Sequence, residues 1–240
     1  LLRWLWGAAA DVAVFLFTLV CATIGILAAA FTGRTTVIDR LGPWWGRIIL
    51  VICGVRVDVV GLEHLDRHRS YVLISNHLSN FDIWATLAAL PLNLRFVAKQ
   101  ELTRLPLFGR ALGMSDHVVI DRSNPEQAIE RINARVAAQG ATPFCLLFYA
   151  EGTRSPDGKI HAFKKGGVSL AIRTGLPVVP LAISGTWKLL PKGAWIIRPG
   201  GRVRLTIAAP IETKEYGIEQ RDELNERVRN VILSNFDEYY

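Results

Sequence analysis

From Val12 to Gly33 the chain carries 22 consecutive uncharged residues, bounded by Asp11 and Arg34. As a helix this run would extend ~33 Å, about the thickness of a bilayer's hydrocarbon layer. Such a segment enters a membrane, is buried in a core, or is removed as a signal peptide. Arg3 as a basic n-region and Ala28-Ala29-Ala30 near a cleavage site fit the last of these, but the apolar run exceeds the roughly 7 to 15 residues of a signal's apolar region. The expectation is therefore a membrane-anchoring helix, either spanning the bilayer or dipping in and returning.

A second apolar stretch follows, Leu41 to Gly46 and Ile48 to Val55, interrupted by Arg47 and opened by Pro43-Trp44-Trp45. It is too short to span, and paired tryptophans beside an arginine suit the headgroup layer. Arg34, Arg40 and Arg47 after the long run outnumber Arg3 before it, which predicts that the following domain faces the cytoplasm. The expected division is an anchor over residues 1–55 and an α/β domain over 56–240.

The 240 residues are 50% hydrophobic yet carry a net charge of +7, a combination that excludes disorder and points to a membrane surface or an anionic ligand, with nucleic acid as the competing partner. Residues 1–56 carry +3, 57–94 carry −2, 95–175 carry +5 and 176–240 carry +1. The largest excess thus lies in mid-chain, away from the apolar run. Cys21, Cys53 and Cys145 are an odd number with no short spacing, which fits reduced thiols better than disulfides or zinc.

Beyond residue 56 the pattern is that of an α/β domain. Short β-branched and aromatic runs predict strands at Val55–Val60, Tyr71–Ser75, Leu94–Ala98, His117–Asp121, Phe144–Tyr149, Pro177–Ile183 and Val203–Ala208. Helices are predicted at Phe81–Leu90, Pro125–Gln139 and Lys165–Thr174, and Leu224, Val228, Ile232 and Phe236 give a C-terminal helix one apolar face. This alternation predicts a mixed, largely parallel sheet flanked by helices.

Two clusters could carry chemistry. The strand Tyr71–Ser75 runs into Asn76-His77-Leu78-Ser79-Asn80-Phe81-Asp82. In a continuous helix residues five apart point ~140° away from each other, but a strand-to-helix turn can fold His77 and Asp82 together. Asp82 would then accept one imidazole N–H and leave the other nitrogen to take a proton from a hydroxyl. The plainer reading is a capping box from Ser79 to Asp82 with His77 an ordinary loop residue, and spacing alone favours it. The second cluster is Glu151-Gly152-Thr153-Arg154 after an apolar strand, followed by Phe163-Lys164-Lys165-Gly166, with Arg122 at another strand end. Arginine forks, lysines and a Gly-Thr backbone suit phosphate oxygens. For any one of these residues alone a solvated surface charge, or a Glu151–Arg154 pair, is the simpler account.

Other signals are weaker. Gly167-Val168-Ser169-Leu170-Ala171 resembles a nucleophile elbow lacking its last glycine, but falls in a helical stretch. His77, Asp82, Glu151, His117 and His161 include no pair at a recognised metal-ligand spacing, so no metal is expected.

Taken in order, Asn76-His77 with Asp82, Phe96-Val97-Ala98-Lys99 with Leu105-Pro106 and Phe108-Gly109, Ile120-Asp121-Arg122, Glu151-Gly152-Thr153-Arg154, Phe163-Lys164-Lys165-Gly166 and Leu176-Pro177-Val178-Val179-Pro180 resemble the blocks of the glycerolipid acyltransferases, more narrowly the bacterial 1-acyl-glycerol-3-phosphate acyltransferases, over roughly residues 58 to 210. The resemblance favours the dyad, implying that His77 is the general base and Asp82 its partner. It implies that Arg122, Glu151, Gly152, Thr153, Arg154, Lys164 and Lys165 bind the acceptor's phosphate and that Pro180 lies near the acyl chain. One departure is Ala150, where the family often has proline. The reaction implied is acyl transfer from acyl-CoA or acyl carrier protein, as co-substrates and with no permanent cofactor, to a lysophospholipid hydroxyl, most simply lysophosphatidic acid. Nothing resembles an activated serine or cysteine, so no covalent acyl-enzyme is expected. Rival readings are the same chemistry on a lyso-ornithine lipid, another lysophospholipid or glycerol 3-phosphate, and a non-catalytic protein binding anionic lipid or nucleic acid. The expected partners are the bilayer and the two substrates, not nucleic acid.

Overall fold

Parallel strands that are buried on both faces read as continuous apolar runs rather than as alternations, and two such runs form the middle of this molecule. The computed structural model describes residues 2–33, 36–99, 104–114, 118–120, 126, 129–130, 132–134 and 142–240. The strands are β1 (Val55–Val60), β2 (Tyr71–Ser75), β3 (Leu94–Lys99), β4 (Val118–Ile120), β5 (Cys145–Tyr149), β6 (Val178–Ser184) and β7 (Gly201–Ile207). Among the described residues they make one seven-stranded sheet, ordered β1-β7-β6-β2-β5-β3-β4. Every pairing is parallel except β6 with β7. The mixed, largely parallel sheet expected from sequence is therefore the observed one.

The helices with described bounds are α1 (Leu2–Thr32), α2 (Thr36–Ile52), α3 (Phe81–Ala89), α4 (Phe108–Met114), α5 (Gly166–Thr174), the short α6 (Thr186–Leu189) and α7 (Arg221–Asn235). They cover both faces of the sheet. Leu73, Leu147, Val179, Leu181 and Ile183 face a core shared with Ala10 and Val14 of α1, Ile49 and Leu50 of α2, and Phe81 and Trp84 of α3. Val72, Ile74, Leu146 and Val178 face the opposite core with Val168 of α5 and Leu224, Val228 and Ile232 of α7. The one-in, one-out alternation along each strand sends neighbouring residues to the two cores.

The first helix departs from the expected Val12–Gly33 in starting at Leu2, and at 31 residues it is ~46 Å long. Its charges are not bounds but attachments. Arg3 donates to the Pro199 carbonyl at 3.3 and 3.4 Å, and Asp11 accepts the Ile197 N–H at 3.2 Å. The buried stripe of α1 is Val14 and otherwise small residues (Gly7, Ala10, Ala22, Gly25, Ala29), while Val12, Phe15, Leu16, Val20, Ile24, Leu27 and Phe31 are exposed. Only 22% of the most apolar stretch is buried. Small residues inward and large apolar ones outward is the arrangement of a helix that packs in lipid, and this is the one described helix long and apolar enough to cross a membrane.

The second helix runs from Thr36 through Pro43 to Ile52 rather than opening at Leu41. It lies between α1 and α3. Gly25 of α1 sits against Ile38, Trp45 donates to Thr18 Oγ1 at 3.0 Å, and a Cβ on Gly46 would come within 2.6 Å of the Trp84 carbonyl. Arg47 donates to the Ala88 carbonyl at 3.1 Å, closing the C-terminal end of α3. Of the expected strand His117–Asp121 the described part is β4. His117, Asp121, Arg122 and most of the expected helix Pro125–Gln139 lie outside the described residues.

Candidate active site

In an open parallel sheet the strands' C-terminal ends form the crevice where loops can converge on a ligand. Here β2 and β5 are neighbours, with Ser75 in register with Tyr149. His77 and Glu151 each follow two residues later, so the register alone brings them together. The His77 N–H donates to Glu151 Oε1 at 3.0 Å, the Ser155 N–H donates to the His77 carbonyl at 2.8 Å, and the Ala150 N–H donates to the Ser75 carbonyl at 2.8 Å.

The point where the chain leaves β2 is set by Asn76, which is fully buried. Its side-chain amide donates to the Ile183 carbonyl at 2.9 Å and accepts the Ile183 N–H at 2.8 Å. A side-chain amide thus imitates one more pair of ladder bonds to β6, and the backbone is free to turn at His77.

The turn folds Asp82 back on His77. His77 Nδ1 lies 2.7 Å from Asp82 Oδ2, and the same oxygen accepts the N–H groups of Leu78 (2.7 Å) and Ser79 (2.9 Å). Ser79 Oγ accepts the Phe81 N–H at 3.3 Å. One carboxylate oxygen thus holds both the imidazole and the backbone of the turn ahead of α3, whereas no side chain caps the helix at Asn80, so the capping box from Ser79 to Asp82 is not what the segment forms. Asp82 is fully buried, and its Oδ1 has no hydrogen-bond partner. The His77 side chain is 14% exposed. With Nδ1 bonded as donor to Asp82, Nε2 is the nitrogen left as acceptor, and it has no partner among the described residues. The Tyr149 ring stacks on the imidazole, centroids 4.0 Å apart and planes 14° from parallel.

Glu151 is buried and does not pair with Arg154. Its oxygens accept the His77 N–H and, at 3.3 Å, the His161 N–H. Burial pushes its carboxyl above the usual range, and those two amides pull it partly back. Gly152 has φ +71°, and a Cβ there would lie 3.0 Å from the Lys164 side chain, so only glycine fits both the left-handed turn and the lysine laid across it. Backbone bonds tie this lysine in place, with the Lys164 N–H donating to the Ala150 carbonyl at 2.8 Å. Thr153 is exposed and Arg154 half-buried. Arg154 has no anionic partner among the described residues.

The structure separates the two lysines that sequence left together. Lys164 lies against Gly152, whereas Lys165 opens α5 and donates to Asp222 of α7 at 2.6 Å. Pro180 lies on the strand next to β2. It is buried in β6 beside Ile74 in register, just beyond the β6–β7 ladder that starts at Leu181, where its missing N–H leaves no ladder bond unmade. Ser169 of the elbow-like segment sits inside α5 and donates back to the Lys165 carbonyl at 2.7 Å. Arg122 lies outside the described residues. One cation went unnoticed in the sequence: Lys192 donates to Thr153 Oγ1 at 3.1 Å. No local pattern marks it, because it lies 39 positions along the chain in a loop between α6 and β7.

Comparison with known proteins identifies the family. A family model described as Acyltransferase matches residues 56–184. The chain is 35% identical over 202 residues to a 1-acyl-sn-glycerol-3-phosphate acyltransferase of Limnanthes alba, covering 82% of this chain and 70% of that protein. It is 34% identical over 194 residues to a protein of the same name from Pseudomonas aeruginosa, covering 78% and 70%. Its fold is similar to the crystal structure of the 1-acyl-sn-glycerophosphate (LPA) acyltransferase PlsC from Thermotoga maritima, with a TM-score of 0.75 and 26% identity over 94% of this chain and 95% of that one. The likeness therefore reaches beyond residues 58 to 210 and takes in most of the N-terminal helices. The chain belongs to the acyltransferase family and is an O-acyltransferase that groups with the 1-acyl-sn-glycerol-3-phosphate acyltransferases.

Proposed function

We propose that the chain transfers a fatty acyl group from acyl-CoA or acyl carrier protein to the free hydroxyl of lysophosphatidic acid, giving phosphatidic acid at the cytoplasmic face of the inner membrane. The observation that carries the mechanism is the His77–Asp82 contact at 2.7 Å, which leaves Nε2 as a proton acceptor beside a turn rich in unpaired cations. Residues 1–55 anchor the enzyme, and 56–240 carry the chemistry.

The acceptor hydroxyl gives its proton to His77 Nε2 as its oxygen forms a bond to the thioester carbonyl carbon. The carbon–sulfur bond then breaks, and the thiolate takes the proton from the imidazolium and leaves as a thiol, so the histidine is restored. Asp82 holds the tautomer and stabilises the transient imidazolium. Arg154, Lys164 and Lys192, together with Arg122, hold the acceptor's phosphate, with Thr153 and the Gly152 backbone beside them, so that the hydroxyl reaches His77. Glu151 acts through the backbone, fixing where His77 stands. The names of the relatives and the cations at this turn support a phosphate-bearing acceptor.

The test is the purified full chain with lysophosphatidic acid, other lysophospholipids, a lyso-ornithine lipid and glycerol 3-phosphate, each with acyl-CoA or acyl carrier protein, and products read by mass spectrometry. Phosphatidic acid is the expected main product, with His77→Ala and Asp82→Asn reduced by about 10²–10⁴-fold. Turnover retained in His77→Ala removes the histidine from the mechanism. A better rate with an acceptor lacking phosphate overturns the assignment of the cations.

A further inference from the structure

The loop from Leu189 to Gly200 joins the two ends of the proposed machinery. At one end Ser79 donates to the Leu190 carbonyl at 2.8 Å and Lys192 reaches Thr153. At the other the loop is pinned to α1 through Arg3 with Pro199 and Asp11 with Ile197. Gly7 allows the close approach, since a Cβ there would stand 2.3 Å from the Ile197 carbonyl. The Arg198 N–H closes the root by donating to the Leu189 carbonyl at 2.8 Å. With the root so constrained, the tip is held out, and Trp195 at the tip is 92% exposed.

A tryptophan on a tied-down loop loses burial that folding could have supplied, unless something else covers it. Arg3, Trp4 and Arg198 line a cleft together with it, and Leu2 and Trp4 are themselves 84% and 58% exposed. Lys192 and Arg198 are the charged residues of this loop, and it holds no acidic one. The patch is also continuous with the outward face of α1, because Leu5, Val12 and Leu16 are all exposed and, spaced seven and four apart, lie on one side of the helix. Indole and guanidinium groups side by side next to an apolar helix face match the headgroup boundary of a bilayer containing anionic lipid.

We infer that the Leu189–Gly200 loop is a membrane contact beyond the two anchor helices: Trp195 enters the interfacial layer of an anionic bilayer beside Trp4, with Arg3 and Arg198 at the phosphates, and this docks the His77 crevice against the surface that supplies its lipid acceptor. The inference rests on the membrane anchorage proposed above. Its test uses the full chain carrying Cys21→Ser, with an environment-sensitive fluorophore at Trp195→Cys, Leu16→Cys or Glu219→Cys, reconstituted in phosphatidylcholine vesicles with and without phosphatidylglycerol. The probe at 195 is expected to shift to the blue and lose iodide quenching, more so with phosphatidylglycerol, while the probe at 219 stays aqueous. A probe at 195 that remains aqueous while the one at 16 is in lipid overturns this inference alone. Both remaining aqueous overturns the anchorage itself. Protection at 195 that grows with protein-to-lipid ratio, together with energy transfer between labelled copies, identifies a second copy as the occupant and also overturns the inference.

Discussion

The Tyr149 ring lies face to face on the His77 imidazole, 4.0 Å between centroids, while its hydroxyl is buried without a hydrogen-bond partner. The hydroxyl lies beside Thr86, whose own hydroxyl is donated to the Asp82 carbonyl at 2.8 Å. Burial, reinforced by the Asp82 charge, raises the Tyr149 pKa well above its usual value, so the ring acts as a neutral plate that limits rotation of the imidazole. Tyr149→Phe should retain turnover and be as stable as the parent or more so, by up to about 1 kcal/mol, since an unmade buried hydrogen bond is removed. Tyr149→Ala should lower kcat about tenfold, the equivalent of one aromatic contact, with KM for the acceptor little changed. Steady-state kinetics on both variants, with chemical denaturation beside them, check this, and an unaffected Tyr149→Ala would show that Asp82 alone orients His77.

Lys164 and Lys165 are adjacent in sequence but have different neighbours. Removing Lys164 or Lys192 should raise KM for a phosphate-bearing acceptor by about 5- to 30-fold, corresponding to about 1–2 kcal/mol for a lost charge-assisted bond. Lys165→Ala should leave that KM within about twofold, because its partner is the exposed Asp222 and exposed pairs contribute little. Initial rates against acceptor concentration distinguish them, and an equal effect at Lys164 and Lys165 would mean that the phosphate sits over the start of α5 instead.

Glu151 gives a pH signature. Because burial raises its folded pKa above the usual 4.5, ionisation is costlier in the folded state than in the unfolded one. Its contribution to stability is thus fully present below about pH 4.5 and is lost as pH rises through the raised value. Glu151→Gln removes that titration, so the stability of the variant relative to the parent should improve with rising pH across this window. Urea unfolding at a series of pH values measures it. A difference independent of pH would indicate that the carboxyl is not desolvated. Since glutamine presents N–H groups to one of two amide donors, the variant should still lose turnover through displacement of His77.

Much of the sheet was legible from composition alone. Tyr71–Ser75 and Val55–Val60 stand where their β-branched runs placed them, and the apolar face of α7 follows its four-residue spacing. Strand order was not, because β7 lies between β1 and β6 through contacts about 150 residues apart in the chain that leave no local trace. Asp11 looked like a limit of the apolar run, and Arg3 like a charge ahead of it, because their partners, Ile197 and Pro199, are at the other end of the chain. Asp82 was readable either as a cap or as a histidine partner, and no spacing could reveal that its one oxygen binds the imidazole together with the amides of the turn before α3.

Side-chain chemistry and its order along the chain were enough to determine the family of this protein: a histidine and an aspartate five apart at a strand's end, a Glu-Gly-Thr-Arg turn after another strand, and an apolar N-terminal helix. Tertiary structure alone decided which charges face the site. Parallel register sets Glu151 under His77, a left-handed glycine admits Lys164, helix α7 takes Lys165 away, and a distant loop brings Lys192 to Thr153. The reason is physical. Residue type and local spacing determine what a group can do, but an electrostatic interaction depends on distance through space, and that distance is set by how strands pair and helices pack.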